Sequence, residues 1–159
     1  MISRIHNTLI STGLLAVICA SSLPLAVHAA DANSAIDFRQ SAMKIYKWYL
    51  GPMAGMVKEK IPYDAAGFRS NAAGLAKAAS LDLTAGFPAN TFSDSEDDTD
   101  ARPEIRENWD DFTSKYEAFR EATEKLMSVS IGGDLAAMKQ QFAATAKTCK
   151  GCHDDYREK

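Results

Sequence analysis

The stretch at residues 135–156 reads LAAMKQQFAATAKTCKGCHDDY. Its apolar and small residues recur in alternating steps of three and four, the spacing that places side chains on one face of an α-helix. The row consists of Leu135, Met138, Phe142, Thr145, Cys149, Cys152 and Tyr156. Asp134 precedes the row and suits the N-cap position. We therefore predict a helix, D, whose inward face carries two thiols.

The two thiols belong to the motif Cys149-Lys150-Gly151-Cys152-His153, for which three chemistries compete. A dithiol redox pair needs a βαβ setting, which the sequence lacks. A zinc site takes about four ligands, whereas residues 30–159 hold three Cys or His groups. Cys-x-x-Cys-His is the attachment signature of c-type haem, in which the thiols bind the porphyrin and the histidine binds the iron. We expect one covalent haem c on Cys149 and Cys152, with His153 as axial iron ligand.

Residues 1–29 have the pattern of a secretory signal peptide. A basic residue precedes an apolar stretch, and Val27–Ala29 presents small or tolerated residues to signal peptidase. Cleavage after Ala30 and a retained membrane anchor are the alternatives. Polar residues and Pro24 interrupt the apolar run, and a membrane span needs about 20 apolar residues. We predict a periplasmic protein with no membrane anchor, whose mature domain is residues 30–159.

Charge and composition exclude several functional classes. The chain has 159 residues, of which 46% are hydrophobic and 25% charged, as expected for one soluble globular domain. Its net charge is −3, and loss of Arg4 with the signal gives −4, which argues against a nucleic-acid partner. His6 and His28 leave with the signal, so no histidine besides His153 is available as a general base, and we do not expect an enzyme.

Residues 34–58 predict the first helix, A, with Ser34 as its N-cap. Gly51-Pro52 should kink or interrupt this helix, because proline lacks a backbone donor. We expect the buried row of helix A to contain Phe38, Ala42, Ile45, Tyr49, Met53 and Met56. A second row, on the neighbouring face, holds Ile36, Arg39, Gln40 and Met43.

Two more helices lie between helix A and helix D. Helix B begins at the N-cap Asp64, and helix C begins at Pro103, where the missing N–H of proline costs least, and ends at Gly132-Gly133. Four helices with no strand-like segment predict an all-α, antiparallel up-down-up-down four-helix bundle. The expected buried residues are Phe68, Ala72, Leu75 and Ala79 in helix B, and Ile105, Trp109, Phe112, Tyr116, Phe119, Thr123 and Leu126 in helix C.

Four segments together resemble the class II c-type cytochromes, the cytochrome c′ family. They are Arg39–Met43 (RQSAM) in helix A, Pro62–Ala66 (PYDAA) at the start of helix B, Asp100–Ile105 (DARPEI) before helix C, and Cys149–Arg157 (CKGCHDDYR) at the C-terminus. The resemblance covers essentially all of residues 30–159 and implies a haem near the C-terminus of a four-helix bundle.

The resemblance also implies roles for residues outside the motif. Arg39 and Gln40 would lie at the haem edge, with the Arg39 guanidinium available to a propionate; the alternative for Arg39 is an exposed helix charge. Asp100 would sit in a loop that approaches the haem. Arg157 would lie on the proximal side of the haem, or would only complement the helix dipole.

Met43 holds the family position that faces the distal side of the haem. In a low-spin branch of the family a methionine there binds the iron, whereas in five-coordinate members the position leaves the iron open. The alternative is that Met43 only fills the core. The lack of a second histidine in residues 30–159 makes Met43 the candidate sixth ligand.

The expected function is electron transfer with redox partner proteins. The alternative is a five-coordinate protein that binds nitric oxide or carbon monoxide at an open distal face. The family resemblance and the apolar width of helix A suggest a homodimer. The acidic run Asp94–Asp100 is either a solvated loop or a docking surface for a basic redox partner.

Overall fold

The structure is a computed structural model that describes residues 31–159, and it confirms the predicted all-α fold. The signal peptide predicted at residues 1–29 lies outside the described residues. The helices are α1 (Ala32–Val57), α2 (Ala65–Ala79), a 3-10 helix (Leu83–Gly86), α3 (Glu104–Glu107), α4 (Trp109–Ile131) and α5 (Leu135–Tyr156). In the described part of the chain, none of these helices is both long and apolar enough to cross a bilayer.

The four long helices α1, α2, α4 and α5 form the bundle, and each packs mainly on its neighbour in sequence. Close contacts join α1 to α2, α2 to α4 and α4 to α5, whereas α1 and α5 have the fewest close contacts of the four pairs of adjacent long helices. The bundle is therefore most open between its first and last long helices. We call the space between α1 and α5 the crevice.

The interior of α2, α4 and α5 follows the predicted rows closely. Phe68, Leu75, Leu126 and Met138 are fully buried, and Asp64 and Asp134 cap α2 and α5 as predicted. Trp109, predicted to be buried, is 38% exposed instead. It is the first residue of α4, where the chain has just changed direction.

That change of direction corrects the prediction of one continuous helix C. Pro103 is the N-cap of the short helix α3, and the chain breaks at Asn108 (φ −121°, ψ 40°) before α4 begins at Trp109. The side chain of Asn108 donates a hydrogen bond to the Glu104 carbonyl at 2.9 Å, and its carbonyl accepts one from Phe112 N–H. Asparagine favours such local backbone bonds over a regular helix interior.

Helix α1 differs from the sequence prediction at its start and on its buried face. It begins at Ala32, because the Asp31 carboxylate caps it by accepting a bond from Ser34 N–H at 2.8 Å. It continues through Pro52 without interruption. Phe38 and Ile45 are 38% and 42% exposed, so their predicted burial was wrong.

The buried face of α1 is turned toward Arg39 instead. Arg39 and Tyr46 are 4% and 6% exposed, and Ala35, Ile36, Ala42, Met53 and Met56 complete the buried set. Helix α1 buries the face that carries Arg39 in place of the predicted apolar row, because the hydrogen-bond partners of Arg39, described below, also lie in the interior.

Candidate haem-binding site

The two thiols lie on the inward side of α5, in two different apolar clusters. Cys149 packs against the main core of the bundle, and Cys152 packs against a smaller cluster that includes Phe92, Ile105 and Tyr156. Both are free thiols and half-buried. Burial raises the pKa of Cys149 and raises the pKa of Cys152 to about 11, so both are protonated at neutral pH.

His153 follows Cys149 by four residues and therefore shares its side of α5. The side chain is half-buried, and burial, followed by the charge of Arg157, lowers the pKa of its imidazole. The neutral imidazole is the form that binds a metal, and these surroundings favour it at neutral pH.

An ion pair fixes how α5 passes α1. Lys139 Nζ, in the first turns of α5, lies 2.7 Å from Glu59 Oε1, just after the end of α1. His153 follows Lys139 by 14 residues (153 − 139), close to four full turns, so both project from nearly the same side of α5. His153 therefore faces α1 across the crevice, about 21 Å along α5 from Lys139.

Met43, on α1, lies at about the same level along the bundle as His153 on α5. It precedes Glu59 by 16 residues (59 − 43), which places it about 24 Å from that ion pair along the antiparallel helix. The levels of Met43 and His153 thus agree to within about one helical turn. Met43 is 39% exposed, although buried Ala42 and Tyr46 flank it on the same helix. The distal position assigned to Met43 by resemblance is consistent with this placement.

Arg39 lies inside the protein and is bonded to residues 83–102, which connect α2 to α3 and which we call the strap. Its Nη1 donates to Gly86 O and to Thr91 Oγ1, both at 2.8 Å. Its Nη2 donates to Thr99 Oγ1 at 2.6 Å and to Thr91 O. The guanidinium also stacks on the Phe87 ring, 4.7 Å from its centroid.

These bonds engage all four terminal N–H groups of Arg39. Burial lowers the pKa of Arg39 to about 10, so the side chain is still a cation at neutral pH. Every recorded partner is a neutral oxygen, and within residues 31–159 no carboxylate shares the guanidinium. The alternative of an exposed helix charge is therefore wrong. The propionate contact stays a prediction. Its donor would be the remaining Nε–H of Arg39, or terminal N–H groups of Arg39 released by a rearrangement of the strap.

The other residues assigned by resemblance lie where the strap meets the two crevice helices. Gln40 is exposed, and its Nε2 donates to Asp98 O at 2.7 Å. Asp100 is exposed as well, and its carbonyl accepts a bond from Glu158 N–H at 2.8 Å. Arg157 is extended and pairs with Ala101 in an isolated β-bridge directly after α5.

The strap therefore joins the N-terminal half of α1 to the end of the helix that carries the haem motif. Sequence reasoning missed Thr91 and Thr99, because a threonine in a polar loop gives no signal of a buried partner some 50 residues away. It also missed Tyr46, whose hydroxyl lies 3.3 Å from that of Tyr116. The signal for Tyr46 was present, since it lies four residues after buried Ala42.

The donor set fits a covalent haem c. Two free, protonated thiols and one imidazole share a side of one helix, and that side faces an open crevice. A buried guanidinium with neutral partners gives the same end of α1 an uncompensated positive charge, which a propionate would offset. The haem would be held by Cys149, Cys152 and His153 from α5.

Comparison with known proteins identifies relatives over most of the described chain. The family model described as cytochrome C′ matches residues 34–157. Cytochrome c′ of Halomonas halodenitrificans is 37% identical over 131 residues, covering 80% of this chain and 98% of the relative. Cytochrome c-554 of Cereibacter sphaeroides is 33% identical over 135 residues, covering 85% of this chain and 88% of the relative.

Solved structures match over the same part of the chain. Cytochrome c′ from Rhodobacter spheriodes superposes with a TM-score of 0.78 at 31% identity, covering 82% of this chain and 99% of that one. A nitric oxide complex of a mutant cytochrome c prime from Alcaligenes xylosoxidans gives a TM-score of 0.71 at 35% identity, covering 82% and 98%. A carbon monoxide complex of another variant of that protein gives 0.72, with the same identity and coverage.

Proposed function

This chain belongs to the cytochrome c′ family and binds haem c, and on that premise we propose that it carries electrons in the periplasm. The observation that supports the proposal is that Met43 on α1 and His153 on α5 lie at about the same level of the crevice. Two protein ligands on neighbouring helices would hold an iron in fixed coordination, which suits a carrier.

The bound haem supplies the one-electron chemistry. The chain's own residues have three tasks around it. Cys149 and Cys152 would tether the group to α5, and His153 and Met43 would serve as the iron ligands. The apolar cluster around Cys152 and the core against Cys149 keep water away from the site and lower the local dielectric.

Protein-film voltammetry of the haem-loaded protein tests this function. We expect a reversible one-electron wave, and we expect Met43→Leu to shift its potential, because a thioether ligand favours the ferrous iron. Met53→Leu is the matched control, since Met53 is fully buried on the same helix about 15 Å farther along. A wave that is absent or irreversible in the wild-type protein contradicts the proposal.

Binding of nitric oxide or carbon monoxide is the second candidate function. Solved structures of the Alcaligenes xylosoxidans relative hold each of these gases. The 39% exposure of Met43 also favours a distal side that a small ligand can enter. Titration of the ferrous protein with carbon monoxide separates the two functions. If the protein is a gas binder, the wild type and Met43→Leu should bind carbon monoxide with similar affinity. If it is a carrier, Met43→Leu should bind carbon monoxide severalfold more tightly, because the substitution removes the thioether that competes for the iron.

We also propose that the protein is a homodimer joined through the apolar strip of α1 at Ile45, Trp48 and Pro52, with the neighbouring Lys44 and Lys47 at the solvent edge of the contact. Trp48 is 75% exposed there, and Ile45 and Pro52 lie on the same face. An exposed apolar strip of this kind is typical of an association surface. Analytical ultracentrifugation of Trp48→Glu should give a monomer, while Trp109→Glu, on α4, should leave the dimer intact. We propose no catalytic turnover, because His153 is the only histidine of residues 30–159 and serves the iron.

A further inference from the structure

The two helices that border the crevice carry charge of one sign over most of their length. From Phe38 to Lys58 the chain has four basic residues and no acidic one. From Leu135 to His153 it has three lysines and again no acidic residue. The basic residues are Arg39, Lys44, Lys47 and Lys58 on the α1 side and Lys139, Lys147 and Lys150 on α5. This one-sided distribution stands out in a chain whose net charge is −3.

Two of these lysines flank the mouth of the crevice near the site. Lys47 follows Met43 by four residues and Lys150 precedes His153 by three, so each lies about one turn from a residue that faces the crevice. Measured from the Lys139–Glu59 ion pair, Lys150 lies about 16 Å along α5 and Lys47 about 18 Å along α1. They therefore stand on opposite sides of the mouth at the same level.

These lysines are available to a partner. Lys44, Lys47, Lys147 and Lys150 are all exposed. The Lys150 side chain is 73% exposed, and its recorded ion pair is with Asp154, one turn away on the same helix. An ion pair this exposed is screened by solvent and leaves the lysine free to exchange partners. We call these four residues the lysine face.

Most acidic residues lie outside these two stretches. Five belong to the strap, and the others on regular structure are concentrated on α3, α4 and the last turn of α5. Separated patches of opposite sign give a molecule an electrostatic dipole, which orients an approaching charged partner. Here the positive patch consists of the lysine face on α1 and α5.

We propose that the lysine face docks an acidic surface of a redox partner protein over the mouth of the crevice. The proposal rests on the proposed electron-carrier function and names the partner by its charge. A negatively charged partner surface that contacts Lys47 and Lys150 would lie on the side of the bundle where α1 and α5 have few close contacts. The partner of this surface is thus acidic, whereas the acidic strap would select a basic one.

Stopped-flow kinetics of the haem-loaded protein tests the docking face. The ferrous protein is oxidised by plastocyanin, an acidic copper protein, at low and at high ionic strength. In Lys47→Glu/Lys150→Glu we expect a roughly tenfold slower bimolecular rate at low salt and no difference at high salt, because salt screens steering. The control is Lys77→Glu/Lys125→Glu, two exposed lysines on α2 and α4 that change the net charge equally. We expect less than a twofold effect in the control.

Three outcomes overturn the proposal, and they are distinguishable. Equal slowing in both double variants shows an effect of net charge alone. Binding of the wild-type protein to vesicles containing phosphatidylglycerol, lost in Lys47→Glu/Lys150→Glu while the plastocyanin rate is unchanged, shows a membrane-directed surface. Both results leave the carrier function standing if the haem gives a reversible wave. A haem without such a wave overturns the carrier function and the docking face together.

Discussion

Lys139 Nζ and Glu59 Oε1 lie 2.7 Å apart and join the start of α5 to the segment that follows α1. Glu59 has a positive φ of 58°, which turns the chain out of α1 at this point. An exposed ion pair of this kind adds little stability. Its use here is geometric, because it marks the level at which the two antiparallel helices pass. Counted from that level, His153 and Met43 lie within about one helical turn of each other along the bundle.

Replacing Arg39 with lysine should destabilise the protein by about 2–3 kcal/mol. An ammonium group cannot reproduce the four bonds of the guanidinium, so carbonyl and hydroxyl oxygens of Gly86, Thr91 and Thr99 lose their partner in the interior. Urea unfolding measures the change in the free energy of unfolding. Arg69→Lys, at an exposed site on α2, is the matched control and should change stability by less than about 0.5 kcal/mol. Equal effects at both positions would show that Arg39 does not fix the strap.

A methyl group at Gly74 should disrupt the packing of α2 against α1. A Cβ built on Gly74 would lie 2.3 Å from Cε1 of the Tyr49 ring, far inside contact distance. Overpacking of this kind costs about 1–3 kcal/mol. Gly74→Ala combined with Tyr49→Leu should be less destabilised than the sum of the single variants, as a double-mutant cycle measures. Strict additivity of the two changes would contradict the close approach of these helices.

The strap should contribute acid-sensitive stability through Asp94 and Arg106. The hydrogen bond from Arg106 holds the pKa of the Asp94 carboxyl below its usual 3.8. A carboxyl with a lowered pKa in the folded state stabilises the protein above its unfolded pKa and loses that contribution as the pH falls through the folded value. Asp94→Asn should therefore have a lower urea midpoint than the wild type at pH 6, and the difference should vanish below about pH 3.

Asp97→Asn is the control for that measurement, since Asp97 is an exposed acid of the same strap. Its urea midpoint should follow the wild type at each pH. A difference between Asp94→Asn and the wild type that stays constant from pH 6 to pH 2 would show that the carboxylate charge of Asp94 does not matter.

The sequence predicts most reliably where a helix is apolar on one face and polar on the other. The rows of α2 and α5 were predicted correctly, and so was the placement of both thiols on the inward side of α5. The row of α1 was predicted wrongly at Phe38 and Ile45, because a pattern of apolar spacing treats Arg39 as a surface residue. The burial of Arg39 depends on Thr91 and Thr99, which are 52 and 60 residues away in sequence. Helical periodicity contains no information about such partners.

The break at Asn108 has a different cause. The apolar spacing from Ile105 to Leu126 continues unbroken through Asn108, so periodicity alone predicts one helix. At Asn108 the side-chain amide bonds to the Glu104 carbonyl, which also accepts the Asn108 backbone N–H at 3.0 Å, and apolar spacing gives no sign of such a local bond. The motif residues of the site needed no such tertiary knowledge, since Cys149, Cys152 and His153 lie within five residues of one helix.

The ferric optical spectrum of the haem-loaded protein, recorded for the wild type and for Met43→Leu, tests the central claim most directly. With Met43 bound to the iron opposite His153, the wild type has a low-spin spectrum with a methionine-to-iron band. Met43→Leu loses that band and becomes high-spin, while the control Met53→Leu keeps the wild-type spectrum. A high-spin wild-type spectrum that Met43→Leu leaves unchanged would contradict the account and leave the distal face open to nitric oxide and carbon monoxide.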